Sequence, residues 1–318
     1  MRVPSLSRFP SFTAFGLAVC LLAAIPLQAQ VRKLHTRDVT RLSQPQVTEY
    51  LKRSDIVFVP IGSVESTGIM PSDRDYVSAL GYAMAMADEL DAVYMPGLIW
   101  SYPGTSIPGS STIGISPTEG IAFLKATCVS LIRNGFRRII FLSSGHGPVP
   151  MTAGVTVREM FDDYRVPMLY LEMGEQVQRL NIPAAQRNRL TYGAHLMSGR
   201  LIDIALKGEY GADPYGDGHT GPVPTNEGYQ NLVRMGVSGS MALGMWVADV
   251  RAHALGAQEL PANEAEREEW GKQGEAQLRA IVKQLKLREI VDNLTKHDEF
   301  TNKVIAPKFE HILPPRQK

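Results

Sequence analysis

The sequence predicts an α/β fold: a three-layer α/β/α domain around a mostly parallel central sheet. Three observations predict it. Compact apolar runs over Asp55–Ile61, Arg138–Leu142 and Pro167–Leu171 lack polar alternation, as strands buried on both faces do. Longer helical stretches separate these runs, giving a βαβαβ rhythm, which calls for a parallel sheet with helices on both faces. The chain has 318 residues, 44% hydrophobic and 20% charged, enough for one large core.

Each element has its local reason. Ser43-Gln44-Pro45 opens a short helix that runs through Lys52. Asp55–Ile61 is rich in β-branched residues and reads as the first strand. Tyr76–Leu90 is dominated by Ala, Leu and Met and reads as a helix, and Ala92–Met95 as a second strand. The Gly/Pro/Ser-rich stretch Pro96–Ser116 is too long for an ordinary connection and carries Trp100 and Tyr102, candidates for a substrate entrance or simple anchors of the loop. Ser116-Pro117-Thr118-Glu119 is a strong helix start, and Gly135 stops that helix after Asn134. Cys128 falls on its apolar stripe and reads as core. A strand over Arg138–Leu142 leads into Ser143-Ser144-Gly145-His146-Gly147, followed by a helix over Met151–Tyr164 and a strand over Pro167–Leu171. Beyond Ala194 a helix is expected to Leu206, then a glycine-rich loop over Gly208–Gly228 and a terminal helix over Asn263–Leu287 with a charged, solvated face.

The first residues follow other rules. Arg2 and Arg8 precede an uncharged apolar run, Phe12–Pro26, that ends near Ala29. A basic start, a short apolar stretch and a small residue before a polar one predict a secretory signal over 1–29, a single domain over 30–318, and a periplasmic or secreted protein. The run falls short of the ~20 residues that span a membrane, so no membrane contact is expected after the signal is removed. Cleavage there would leave 31 basic residues against 32 acidic ones and Cys128 as the sole thiol, so no intrachain disulfide is expected. The balanced charge also excludes a nucleic-acid footprint.

In a parallel sheet, ligands bind beyond the carboxyl ends of the strands. Two such ends carry polar groups: Gly62-Ser63-Val64-Glu65-Ser66-Thr67-Gly68, running on to Asp73-Arg74-Asp75, and the segment around His146. Two carboxylates and an imidazole suit Zn, Mn or Fe. Taken alone, a Glu, an Asp and a His at loop starts are more often caps and satisfied polar groups than ligands. Asp217-Gly218-His219-Thr220 reads as an ordinary turn and His253 as packing, and His35, His297 and His311 have no partner spacing. No serine-nucleophile elbow, phosphate loop or dinucleotide fingerprint occurs.

These segments resemble the creatininase (creatinine amidohydrolase) family. The family pattern P-x-G-S-x-E-x-H-G-x-H-x-P-x-x-x-D is matched by Pro60-Ile61-Gly62-Ser63-Val64-Glu65-Ser66-Thr67-Gly68 with Pro71 and Asp75, and its N-G-H-G-G-N strand end by Ser144-Gly145-His146-Gly147. Ser111-Thr112-Ile113 and Gly236-Val237-Ser238-Gly239 agree as well. The resemblance implies a creatininase-like fold and a hydrolase of a non-peptide C–N bond in a cyclic or small linear amide, acting through metal-bound water. It also implies a small-molecule substrate and a homo-oligomer. A lactonase would use the same electrophile chemistry, and a catalytically silent, exported binding protein is the alternative of another class.

The departures are specific. Thr67 and Met70 stand where the family has histidines, and Pro148 stands at a further ligand position. One residue is missing between Gly68 and Asp75, so Asp73 competes with Asp75 for the aspartate role. The family's H-A-G-E-x-E-T-S segment reads Tyr192-Gly193-Ala194-His195-Leu196-Met197-Ser198-Gly199. The resemblance therefore implies one ion per chain, held by Glu65, Asp75 and His146, in place of the family's pair. His195 is then a general base or a fourth ligand, or else a histidine at a helix start bonded to the backbone.

Overall fold

The structure, a computed structural model, describes residues 34–98, 104, 111–144, 149–210, 227–236 and 259–313. Four strands form one sheet: β1 (Ile56–Pro60), β2 (Val93–Tyr94), β3 (Arg138–Ser143) and β4 (Met168–Glu172). They lie in the order β2-β1-β3-β4 and every neighbouring pair is parallel. All five residues of β1 are buried, as its unbroken apolar run requires.

The two faces of the sheet follow the alternation along each strand. Ile56, Phe58, Ile140 and Leu142 join one core cluster with residues of α2 (Arg74–Leu90), α8 (Glu264–Gln284) and α9 (Leu287–Phe300). Val57, Val59, Ile139 and Phe141 point the other way and are fully buried too. Helices cover both sides, with α3 (Pro117–Asn134) and α4 (Val149–Tyr164) packed together and α4 against β4. Short helices α1 (Gln44–Leu51), α5 (Met173–Arg179), α7 (Glu227–Arg234) and α10 (Ala306–Phe309) and the longer α6 (Ala184–Met197) complete the described elements.

The start of α3 was the best specified in the sequence. Ser116 Oγ accepts from Glu119 N at 3.3 Å, the Glu119 side chain returns to Ser116 N at 2.9 Å, Pro117 fills the first turn, and Gly135 ends the helix at φ 105°. Cys128 is buried on its inner face, and burial pushes its thiol up to about 12. None of the described helices is long and apolar enough to cross a membrane.

Two expected elements need correction. The helix placed from Ala194 to Leu206 is α6, which runs from Ala184 to Met197 and is followed by a 3-10 turn over Leu201–Asp203. The terminal helix is two helices: α8 ends at Gln284, Lys286 adopts a left-handed φ of 51°, and α9 begins at Leu287. Opposite its charged face, α8 buries Trp270, Gly271, Gly274, Leu278, Ile281 and Val282. It crosses α6 with backbone against backbone: a Cβ on Gly274 would overlap the carbonyl oxygen of Arg189 and lie 2.6 Å from Gly193 N. Arg189 stacks over Trp270 at 3.4 Å, and Tyr192 meets the same ring edge-on at 5.2 Å.

Candidate metal and substrate site

The order β2-β1-β3-β4 reverses direction between β1 and β3, since the chain leaves β1 to one side for β2 and then returns to the other side for β3. A crevice beyond the carboxyl ends of those two strands is where ligands bind in such sheets. The segment after β1 lies there. It is braced by Ile61 N donating to Leu142 O at 2.8 Å, Ile113 N to Val64 O at 2.9 Å, and Ser66 N to Thr112 Oγ1 at 3.0 Å.

This segment and the start of α2 are held against each other. Glu65 N donates to Ser72 O at 2.8 Å. A Cβ on Gly62 would come within 2.5 Å of the backbone nitrogen of Tyr76, so only glycine permits the approach. Glu65 is 2% exposed and Asp75 7% exposed, so two carboxylates are buried on these adjoining segments. The helix begins two residues before the expected Tyr76, which places Asp75 inside its first turn. The Arg74 guanidinium donates to Asp75 Oδ1 at 3.1 and 3.2 Å.

Asp73 is placed differently. It occupies the N-cap of α2, yet its carboxylate makes no capping bond. Both oxygens instead accept from Arg200, one of them through a very short contact and the other at 3.2 Å. Arg200 Nε donates to Asp203 Oδ2 at 3.0 Å. The turn bearing Asp203 is tied down in turn by Arg267 of α8, whose Nη1 donates to Ile204 O at 2.8 Å. Asp73, Arg200 and Asp203 line an open pocket of about 520 Å3 together with Val64, Met70 and Tyr210. That volume falls within the usual range for small-molecule sites.

The family's histidine positions at Thr67 and Met70 have other duties here. The Thr67 hydroxyl donates to Met70 O at 3.2 Å and Pro71 O at 3.1 Å, closing the turn at Gly68, whose φ is 69°. Met70 packs with Tyr192, Ile204 and Trp270.

His195 lies in the last turn of α6, not at a helix start. It is fully buried, and Nδ1 sits 2.8 Å from Thr191 O. A carbonyl only accepts, so Nδ1 carries the proton and Nε2 keeps its lone pair. Nε2 is buried and has no hydrogen-bond partner among the described residues. Burial holds the imidazole below its ordinary pKa, while the bond to Thr191 and the Asp73 carboxylate pull upward. The neutral form is therefore the folded form. A base with a depressed folded pKa contributes stability above its unfolded value, near 6.5, and loses it as pH falls towards the folded value. Metal-free chain should thus lose stability on acidification below about pH 6.5, and His195→Gln should flatten that slope in urea titrations at stepped pH. An unchanged slope would contradict this protonation state.

His146, Pro148, Trp100, Tyr102, Asp217-Gly218-His219-Thr220, Val237-Ser238-Gly239 and His253 lie outside the described residues. Among the described residues, no group of three His, Cys, Asp or Glu side chains could hold an ion. Glu65 and Asp75 thus supply two hard oxygen donors of a set whose imidazole member, His146, is not described. The Asp73–Arg200–Asp203 arrangement had escaped the sequence, because its partners are far apart: 127 residues separate Asp73 from Arg200.

Fold and crevice together define a parallel α/β protein with carboxylates at its strand switch point. The chain belongs to the creatininase family, whose model, described as creatinine amidohydrolase, matches residues 40–283. Among solved structures, a putative creatinine amidohydrolase from Bacteroides fragilis NCTC 9343 is similar at 15% identity, with a TM-score of 0.50, over 78% of this chain and 96% of that one. At that identity the likeness is one of fold. A creatinine amidohydrolase (creatininase) gives 15% identity and a TM-score of 0.47, over 79% of this chain and 98% of that one. A structure described as creatininase Mn gives 14% identity and a TM-score of 0.46, over 80% of this chain and 98% of that one. No curated protein matches the chain.

Proposed function

We propose that the chain is a divalent-metal-dependent hydrolase of a non-peptide C–N bond in a small amide, acting at the β1/β3 crevice. The observation that carries this reading is the pair of buried carboxylates, Glu65 and Asp75, on two segments locked together at the switch point of a creatininase-family fold. Glu65, Asp75 and His146 would hold one ion of Zn, Mn or Fe. When bound, such an ion lowers the pKa of water towards ~7 and polarises a carbonyl. Asp73 is a weaker candidate ligand, since Arg200 engages both of its oxygens.

The chain's own groups account for the rest. His195, whose Nε2 keeps its lone pair, would be the general base or a fourth ligand. His195→Ala separates the two: turnover alone falls if it is the base, and metal content falls too if it is a ligand. The pocket sets two carboxylates against one guanidinium, which favours a neutral or cationic amide over an anionic one. Thr67 and Met70, engaged in a turn and an apolar cluster, favour one ion over two.

The test is a hydrolysis screen of metal-loaded protein against cyclic amides, formamides and lactones. Turnover of a neutral or cationic amide that disappears with Glu65→Gln is the expected result. Turnover of lactones alone would make it a lactonase. A protein that binds such compounds without turning any over would be the silent binding protein instead.

A further inference from the structure

Arg200 stands between two carboxylates at the wall of the pocket. Gly199, with φ 74°, turns the chain at the end of α6, and Arg200 N donates to His195 O at 2.7 Å. Its Nε donates to Asp203 Oδ2 at 3.0 Å, and its two terminal nitrogens cover both oxygens of Asp73. A guanidinium does not lose its charge in a protein, and its planar fork matches a carboxylate. Asp73 occupies the N-cap of α2 without bonding a backbone nitrogen there, although aspartate is among the best capping residues. Its side chain is 15% exposed, so protein covers most of it. Asp75 differs, since Arg74 meets it at Oδ1 alone. Asp73 nevertheless lies by the same crevice. It lines the pocket beside Val64, and its neighbour Ser72 accepts from Glu65 N at 2.8 Å.

We propose that Arg200 selects the metal's aspartate: by occupying both oxygens of Asp73 it withholds that carboxylate from a divalent ion and leaves the role to Asp75. The inference rests on the reading of Glu65 and Asp75 as ligands. Its physical basis is competition between cations for one carboxylate. An ion approaching Asp73 must displace two charge-assisted hydrogen bonds and then sit beside a fixed positive charge. Arg200 is not an arm that swings aside. Asp203 holds its Nε, and Arg267 Nη1 holds the following turn through Ile204 O at 2.8 Å. An isolated surface ion pair contributes little, but a bidentate pair within a network is the exception. Arg200 is thus a positioning residue, acting through Asp73 and not on the ion itself.

Metal content per chain tests this, by elemental analysis after loading with Zn and desalting, beside a melting curve for each variant. Asp75→Asn should hold no ion while Arg200 is present. Arg200→Gln combined with Asp75→Asn should hold about one, because Asp73 is released, and adding Asp73→Asn should remove it again. A merely structural role for Arg200 would lower metal content in the glutamine variant and never restore it. Arg200→Lys supplies a point charge in place of a fork, so in the Asp75→Asn background it should restore the ion in part. That variant serves where Arg200→Gln fails to fold. A folded Arg200→Gln, Asp75→Asn protein without an ion would overturn the proposal and leave Glu65 and Asp75 standing as ligands. An ion that persists in Asp75→Asn and is lost on adding Asp73→Asn would overturn it too, since Arg200 would then not withhold Asp73. No ion in the unaltered chain would overturn the ligand reading, and this inference with it.

Discussion

Glu65→Gln is expected to abolish metal retention and hydrolysis together. The substitution keeps the size of a side chain that is 2% exposed, so packing changes little. It removes the negative charge and leaves a neutral amide where a divalent ion needs a carboxylate. Changes to groups that merely orient a ligand cost about 10–100-fold in metal affinity, so loss of a ligand itself should exceed about 100-fold. Elemental analysis after dialysis, beside the melting curve of metal-free protein, separates this from unfolding. A variant that keeps both its metal and its turnover would remove Glu65 from the ligand set.

Gly274→Ala should be the most damaging substitution away from the site. The added methyl meets backbone on both sides, the Arg189 carbonyl and the Gly193 nitrogen, and neither can swing aside as a side chain can. Ordinary overpacking costs about 1–3 kcal/mol, and a clash against rigid backbone belongs at or above the top of that range. Separating α6 from α8 would also loosen the Arg267 anchor and, through Asp203 and Arg200, the start of α2. Gly154→Ala in α4 is the control, since none of the described residues lies within 4 Å of the added carbon. It should be neutral or stabilising by up to ~1 kcal/mol. Similar unfolding midpoints for the two variants in urea would contradict the close crossing.

How legible an element was in the sequence depended on how local its cause is. The α3 boundaries follow from a capping box, a proline and a glycine within the segment itself, and β1 and β3 from unbroken apolar runs. The misplaced α6 has no strong apolar stripe. It meets α2 at Gly81 and Ala194 and meets α8 at Gly193 and Gly274, and small-residue contacts of that kind leave no periodic signal. The break between α8 and α9 rests on Lys286 in a left-handed conformation, where a glycine would have marked it. At the candidate site, Glu65 and Asp75 were singled out by their place beyond the first strand together with the resemblance to the family pattern. The burial of His195 and the Arg200 bridge to Asp73 are products of tertiary packing, and no local spacing encodes them.

On the proposed reading, Glu65 and Asp75, with His146, hold one divalent ion at the β1/β3 crevice. Metal content per chain tests it most directly, measured on purified protein and on the Asp75→Asn and Asp73→Asn variants. About one ion is expected in the unaltered chain, with its loss in Asp75→Asn and its retention in Asp73→Asn. Two ions per chain, no ion at all, or loss with Asp73→Asn and retention with Asp75→Asn would contradict it.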